Sequence, residues 1–430
     1  MSKPIRALIN ARLLDPATNT DVQGGVLIEK GKILDWGAHI KKGSLPDGVK
    51  VEDCNGYCLA PGLVDAHAYL CEPGKEHRET MMTAGMAAAA GGVTTINAFP
   101  ATEPVIDDPA IVEMVRRRAK TTCAVNVYIT GALPKGLLGE EMAEMGLLSE
   151  AGVVAVSDGQ FAISNINLMR RALAYSSMFD LPVIVHAEDP ALAAGGVITG
   201  GRTATFMGLK SVPTCAEAIL VERDIRLVKM TGARWHAAHL STKDALDTMR
   251  RAKNDGLNVT AGTAPHYHAL NDLELGEYRT FARVSPPLRE EEERLAVIEA
   301  IKDGTIDVIS SQHLPQSADS KRVPFAQAKP GVIGLETMLP VSLRLYHNGD
   351  VDLLRLLYTM TIAPAKLLGL EAGAIKKGAD ADLFLFDTEK PWQVDGDALL
   401  SKSKNTAFDG HLLQGRVLKT FVRGKAVIEL

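Results

Sequence analysis

Eight short apolar segments rich in β-branched residues recur between residues 62 and 311, and no other feature of the sequence constrains the fold as strongly. Helix-like stretches, with apolar residues at three- and four-residue spacing, separate most of them. Because parallel strands need crossover connections and cover on both faces, the alternation predicts an α/β fold, a parallel (β/α)8 TIM barrel, with an open doubly wound sheet as the alternative. The predicted strands are 62–67, 92–97, 123–130, 152–157, 182–187, 234–239, 257–262 and 306–311.

The two ends of the chain carry a different pattern. Residues 5–59 and 373–430 alternate with a period of two, interrupted by Gly-Lys turns, as antiparallel strands do. Neither end holds enough apolar residues for a core of its own, so we expect the two ends to pair into one small β-sandwich. The predicted domains are a β-sandwich from residues 1–59 and 366–430 and a barrel from residues 60–365.

Composition excludes several classes of protein. The 430 residues are 46% hydrophobic and 23% charged, with a formal net charge of −5 and no basic block, so no nucleic-acid footprint is visible. No apolar run approaches the roughly 20 residues of a membrane span. Five sparse cysteines suit reduced thiols rather than a disulfide framework. These features predict a cytoplasmic protein with no membrane partner, and we expect a homo-oligomer.

Potential metal ligands follow four of the predicted strands. They are His67, Asp158, His186 and His239. The carboxyl ends of barrel strands meet at one rim, where imidazole and carboxylate groups suit a single catalytic zinc ion. Hydrogen-bonded structural histidines are the alternative reading. The other polar residues at or beyond strand ends are Asn97, His266, His268, Gln312 and His313.

Two further polar features have plainer interpretations. His236 is expected to pack within its strand. The charged run REEEERL, from Arg289 to Leu295, is expected to be a solvated helix start, because acidic residues are favoured near a helix N-terminus.

Segments along almost the whole chain resemble, in order, the motifs of dihydroorotases in the amidohydrolase superfamily. They include APGLVDAHAYLCEPG (60–74), VIVHAED (183–189), HAAHLSTKDAL (236–246) and GAIKKGADADLFLFD (373–387). The resemblance implies a barrel with the four ligand positions named above. It also implies hydrolysis of a cyclic amide in pyrimidine biosynthesis, interconverting dihydroorotate and carbamoyl aspartate, with zinc as cofactor and an aspartate after the eighth strand as proton shuttle.

The sequence departs from the family pattern at five positions of the reaction centre. Tyr69 replaces the second histidine of the first strand, and Cys71 replaces the arginine that grips the substrate carboxylate. Ala101 replaces an asparagine after the second strand. After the eighth strand, Gln312 replaces the acid and Gln316 the second histidine. A glutamine cannot accept a proton from water, so the catalytic and substrate-binding groups of the family are missing.

These losses predict a pseudoenzyme. In this interpretation the chain resembles the inactive homologues that assemble with aspartate carbamoyltransferase, and its barrel acts as a structural partner of that enzyme. One alternative is an active amidohydrolase with one zinc ion that opens dihydroorotate or a related cyclic amide, with His313 or His266 as a possible base. Ordinary dihydroorotase activity from a rearranged site is a second alternative.

Overall fold

The computed structural model describes residues 5–430, which contain eighteen β-strands and fourteen α-helices. The strands are β1 (Arg6–Asp15), β2 (Thr20–Glu29), β3 (Lys32–Gly37), β4 (Lys50–Asp53), β5 (Cys58–Pro61), β6 (Leu63–Ala68), β7 (Val93–Ala98), β8 (Asn126–Ala132), β9 (Ala155–Ser157), β10 (Val183–Val185), β11 (Ile198–Thr199), β12 (Ser211–Val212), β13 (Trp235–Ala237), β14 (Val259–Thr263), β15 (Val308–Ile309), β16 (Leu383–Gln393), β17 (Leu412–Val422) and β18 (Lys425–Glu429).

Strands β6, β7, β8, β9, β10, β13, β14 and β15 form one parallel sheet in that order. A parallel bridge between Ala68 and His313 brings the first strand beside the segment after the last, so the sheet is a nearly closed barrel. Every residue of β6 and β7 is buried, as expected for strands covered on both faces. The predicted barrel is confirmed, and each of the eight predicted segments overlaps one of these strands.

Fourteen α-helices pack around the barrel or connect its parts. They are α1 (Met81–Ala90), α2 (Pro109–Thr122), α3 (Met145–Glu150), α4 (Ile166–Ser176), α5 (Pro190–Ala193), α6 (Arg202–Met207), α7 (Cys215–Thr231), α8 (Lys243–Asn254), α9 (Pro265–Ala269), α10 (Glu291–Asp303), α11 (Ala318–Lys321), α12 (Met338–His347), α13 (Leu353–Met360) and α14 (Ile362–Leu367).

Local capping explains where several of these helices begin. The Asp108 side chain accepts the N–H of Ala110 at the start of α2, and Pro109 occupies the first helical position. The Asn165 side chain caps α4 in the same way, through Leu168. Within residues 5–430, no helix combines the length and apolarity that crossing a membrane requires.

The two chain ends pair, as the sequence predicts. Strands β18, β17, β16, β5, β1, β2 and β3 follow one another in a single sheet, and β4 pairs with β1. Their inner faces bury Leu13, Val26, Leu383 and Phe421 in a core separate from the barrel core. Because β5 ends at Pro61, two residues before β6 begins, this sheet holds the start of the barrel's first strand.

Candidate active site

His67, the penultimate residue of β6, lies inside a cluster of aromatic rings at the barrel mouth. Its ring stacks on Phe99, with centroids 3.6 Å apart and planes 18° apart. The His239 ring lies 4.3 Å away and the edge of Tyr69 lies 5.3 Å away. His67 Nδ1 is buried without a hydrogen-bond partner, and burial together with the neighbouring His186 lowers its pKa well below the ordinary value. The imidazole is therefore neutral and held by ring contacts.

Tyr69 and Cys71 fill space beside this cluster. Both side chains are 5% exposed, and they belong to one apolar cluster with Phe99 and several alanine and aliphatic residues. The Tyr69 hydroxyl donates to the Gly159 carbonyl at 3.3 Å, and burial raises its pKa above the ordinary value. Burial also raises the pKa of the Cys71 thiol to about 12. Neither side chain is charged at neutral pH, so this side of the mouth is closed by uncharged packing.

Asp158 and His186 lie at the ends of neighbouring strands, as predicted. Asp158 Oδ1 accepts the backbone N–H of His186 at 3.0 Å, whereas Oδ2 is buried without a partner. Burial raises the pKa of Asp158 well above its ordinary value. The His186 Nε2 atom lies 3.2 Å from Ser285 Oγ and 3.9 Å from Glu188 Oε2. His186 and one oxygen of Asp158 thus have structural partners, whereas the other oxygen of Asp158 has none.

His239 lies deeper in the barrel. Its Nε2 atom is 3.4 Å from Ser310 Oγ, and its Nδ1 atom is buried without a partner. Burial lowers its pKa well below the ordinary value, and the adjacent His67 lowers it further. His236 packs within β13, with Nδ1 2.8 Å from Thr260 Oγ1, as the sequence predicts.

The four predicted ligands meet at the mouth, but their donor atoms do not assemble into a metal site. Among residues 5–430, no group of three or more His, Cys, Asp or Glu side chains is placed to hold one metal ion. One face of the His67 ring is covered by Phe99, and the Nε2 atoms of His186 and His239 lie within hydrogen-bonding distance of serine hydroxyls. Three donor atoms of this set are buried without hydrogen-bond partners, namely His67 Nδ1, His239 Nδ1 and Asp158 Oδ2, and the predicted zinc site stays a prediction.

Gln312, which the sequence resemblance matches to the general-base position of the family, has a structural role. Gln312 Nε2 donates to the Ser285 carbonyl at 2.8 Å, and Oε1 is buried without a partner. Its backbone is left-handed, with φ of 47°, and Cys71 also has a positive φ, of 61°. Such conformations cost energy for residues other than glycine and cluster at functional sites. Two of the five departures from the family pattern therefore stand on strained backbone at the mouth.

Neither alternative base is free to act on a ligand at the mouth. His313 Nδ1 accepts the Gly334 N–H at 3.3 Å, which leaves the proton on Nε2, 3.4 Å from Glu79 in a fully buried pair. His266 is also fully buried, and burial lowers its pKa to about 3. Both histidines contribute to the interior of the fold.

The two remaining departures belong to loop structure. The Ala101 carbonyl accepts from Lys75 Nζ at 3.0 Å. Gln316 Nε2 donates to the Pro330 carbonyl at 2.8 Å, and its backbone N–H donates to Asn405. These contacts hold chain segments together, and Gln316 Oε1 is buried without a hydrogen-bond partner.

A cavity of about 290 Å³, here called the mouth pocket, opens beside the aromatic cluster. The polar and aromatic residues of its lining are Gln160, Phe161, His186, Glu188, Arg283 and Ser285. Prolines and small apolar residues complete the walls. Apart from His186, none of these residues was identified from the sequence, although Glu188 stands in the quoted VIVHAED segment.

Behind the mouth pocket lies a buried group of charged side chains that includes Arg289, a residue predicted to be solvated. Arg289 is 3% exposed, and its Nη2 atom lies 3.4 Å from Glu188 and 3.5 Å from Glu217. Its Nε atom donates to Ser241 at 3.0 Å. The expectation that the run beginning at Arg289 is solvated is wrong for this residue, because the helix starts only at Glu291 and the arginine points inward.

Comparison with known proteins relates the whole chain to one family. A family model described as "Dihydro-orotase-like" matches residues 56–245. A protein named dihydroorotase from Wolbachia sp. subsp. Brugia malayi (strain TRS) is 42% identical over 423 residues, covering 98% of this chain and 95% of the relative. A protein of the same name from Pelobacter propionicus is 43% identical and covers 97% of this chain and 98% of the relative. Among solved structures, L-hydantoinase (dihydropyrimidinase) from Arthrobacter aurescens superposes with a TM-score of 0.89 at 25% identity, covering 100% of this chain and 96% of that one.

Proposed function

The chain belongs to the dihydroorotase family of the amidohydrolase superfamily, a family of pyrimidine metabolism, and we propose that this member keeps the fold without hydrolysing dihydroorotate. The observation that carries the proposal is the position of Gln312. The sequence resemblance matches its amide to the proton-shuttling aspartate of the family, and the amide donates to a backbone carbonyl.

The size of the effect supports this proposal. Loss of a general base typically lowers a rate by about a hundredfold to ten-thousandfold, which corresponds to about 3–5 kcal/mol of barrier. In addition, Cys71 offers no charge for a substrate carboxylate, and Tyr69 and Phe99 occupy the space around His67. These changes act on different requirements of one reaction, namely proton transfer, substrate binding and access to the site.

The same reasoning leads us to propose a structural role. A barrel that no longer turns over substrate can still present its outer surface to a partner, and the resemblance to noncatalytic dihydroorotase-like chains suggests aspartate carbamoyltransferase as that partner. Mixing the purified chain with the aspartate carbamoyltransferase of the same organism tests this proposal by mass photometry. A complex larger than either protein alone is expected, and separate species at micromolar concentrations would contradict it.

Turnover of dihydroorotate and carbamoyl aspartate tests the loss of catalysis. The assay uses the purified chain with added zinc between pH 6 and pH 9. The His186→Ala variant, which lacks a further family ligand position, supplies the background rate. We expect equal rates for the two proteins. A zinc-dependent rate above the variant, in the usual enzyme range of about 1–1000 per second, would contradict the proposal.

A second candidate function is hydrolysis of a cyclic amide. The relatives are named dihydroorotase, which indicates catalysis in those proteins. These names support hydrolysis more directly than they support the noncatalytic role. The hydantoinase neighbour further suggests a neutral ring that needs no arginine clamp, which suits the replacement at Cys71. Hydrolysis of dihydroorotate, hydantoin or 5,6-dihydrouracil that disappears with a chelator and returns with zinc is the expected result. Background rates under all these conditions would exclude this candidate.

A further inference from the structure

A second cavity, here called the basic cleft, opens at the end of the barrel opposite the mouth. It measures about 300 Å³ and lies between the last turns of α2, the start of β8 and the turn after β17. Since the parallel strands end at the mouth, the start of β8 lies at the far end. Alanine and valine residues form part of the walls, and the polar and charged residues of the lining are Arg116, Lys120, Cys123, Asn126, Tyr128 and Arg423.

All charged side chains that line the basic cleft are cations. Arg116 and Lys120 lie one turn apart on α2, and Arg423 lies in the turn between β17 and β18. Among the described lining residues, none is acidic. Burial raises the pKa of the Cys123 thiol and the pKa of the Tyr128 hydroxyl, so both groups are neutral at neutral pH. Because the whole chain has a formal net charge of −5, the cleft is a local reversal of charge.

Lys120 is the cation that is most available to a ligand. It is exposed near the end of α2, and no acidic side chain of residues 5–430 forms an ion pair with it. Arg116, by contrast, pairs with Glu113 and donates from Nη1 to the Ala151 carbonyl at 3.3 Å. The charge of Arg116 is therefore partly compensated within the protein, and the charge of Lys120 can act on a ligand.

Arg423 is fixed on the other side of the cleft before any ligand binds. Its backbone is left-handed, with φ of 48°, and its N–H donates to Asp382 Oδ1 at 2.6 Å. Its Nη2 atom donates to Asn126 Oδ1 at 2.6 Å, and Asn126 Nδ2 donates to Asp382 Oδ2 at 2.7 Å. A guanidinium has several N–H donors, and this contact uses one of them. A cation that is already positioned loses less conformational entropy when it binds an anion.

Tyr128 gives the basic cleft a flat apolar surface. It is the third residue of β8, and 37% of its side chain is exposed. A partly accessible aromatic ring can stack on the ring of a nucleobase. The cleft therefore combines cations that suit phosphate groups with a surface that suits a ring.

From this arrangement we infer that the basic cleft binds a small phosphorylated molecule with at least two negative charges, held between Lys120 and Arg423. Lysine binds phosphate as a point charge, and arginine binds it through paired N–H groups. Arg116 adds positive charge to the same site. The inference does not rest on the proposed function, because none of the described lining residues belongs to the barrel mouth. A bound ligand would connect α2 of the barrel to the sheet built from the chain ends.

Isothermal titration calorimetry of the full chain with sodium pyrophosphate, at pH 7.5 and low ionic strength, tests this inference. We expect binding at submillimolar concentration that weakens as sodium chloride is added, because salt screens exposed charges. Lys120→Ala and Arg423→Asn should each weaken binding about threefold to tenfold, and asparagine tolerates the left-handed backbone. Arg117→Ala, which removes a 79% exposed cation of α2 outside the cleft, is the matched control and should keep the wild-type affinity.

Adenosine diphosphate distinguishes two sources of the phosphate groups. Tighter binding than pyrophosphate, with the difference lost in Tyr128→Ala, would indicate a nucleotide. Equal or weaker binding would indicate that phosphate groups alone are recognised, and both results support the site. Absence of binding at millimolar pyrophosphate, or equal losses of affinity in Lys120→Ala and Arg117→Ala, would overturn the inference.

Discussion

Replacement of Phe99 by alanine is expected to lower the thermal stability of the protein, because this ring fills the mouth beneath His67. Phe99 is 1% exposed, and its centroid lies 3.6 Å from the His67 ring. Truncating a buried phenylalanine to alanine costs about 3–5 kcal/mol. The entropy of unfolding is about 2.1 cal/mol/K per residue. If the 430 residues unfold as one unit, the total entropy of unfolding is therefore about 0.9 kcal/mol/K. The melting temperature should therefore fall by about 3–6 K.

Differential scanning calorimetry at pH 7.5, with and without EDTA, measures this effect. Phe161→Ala is the control, because its ring is 74% exposed and surface changes stay within about 0.5 kcal/mol. The chelator should not change the wild-type melting temperature. A loss below about 1 K in Phe99→Ala would show that aromatic packing does not hold the mouth, and a loss of several kelvin in the wild type with EDTA would show that a bound metal ion stabilises it.

Three further predictions concern buried charges. Asp158→Asn should leave the melting temperature at pH 8 unchanged or raise it. Because the pKa of Asp158 is raised in the folded state, its contribution to stability is lost as the pH rises through the folded-state pKa. A clearly lower melting temperature of the variant at pH 8 would contradict this prediction. Arg289→Ala should lower the melting temperature by about 3–6 K, because about 3–5 kcal/mol is lost when a buried charge pair is broken. Arg226→Ala, at an exposed pair, should change it by less than about 1 K. Burial lowers the pKa of His266 to about 3, so the neutral imidazole stabilises the fold above pH 6.5 and this contribution is lost as the pH falls toward 3. His266→Asn should therefore make the melting temperature depend less on pH between 6.5 and 3.

Much of the barrel was predictable because its signal is local. Each parallel strand is a short apolar run, and each crossover helix repeats its apolar residues at helical spacing, so neighbouring residues suffice to identify both. The pairing of the two chain ends followed from their shared alternation. The helices α12 to α14 were missed, since they follow the last predicted strand, where the repeat of strand and helix has ended.

The candidate site was predictable only in part. The ends of strands place His67, Asp158, His186 and His239 at one mouth, and no local pattern shows where each donor atom points. The stack of Phe99 on His67 joins two strands, and the contact of Arg289 with Glu188 joins residues distant in sequence. Such contacts depend on the tertiary fold. Arg289 was predicted to be solvated because the residues that follow it are mostly acidic, although its own side chain is buried.

The sheet built from both chain ends has a consequence for biosynthesis. Strand β5 pairs with β16, so that Pro61 lies opposite Leu383. At about 5–20 residues per second, a ribosome needs on the order of tens of seconds to make the chain between these two residues. During this interval the edge of β5 has no partner, and an open strand edge is a template for aggregation. Slower translation should therefore prolong the exposure of the nascent protein to misassembly and increase its dependence on chaperones.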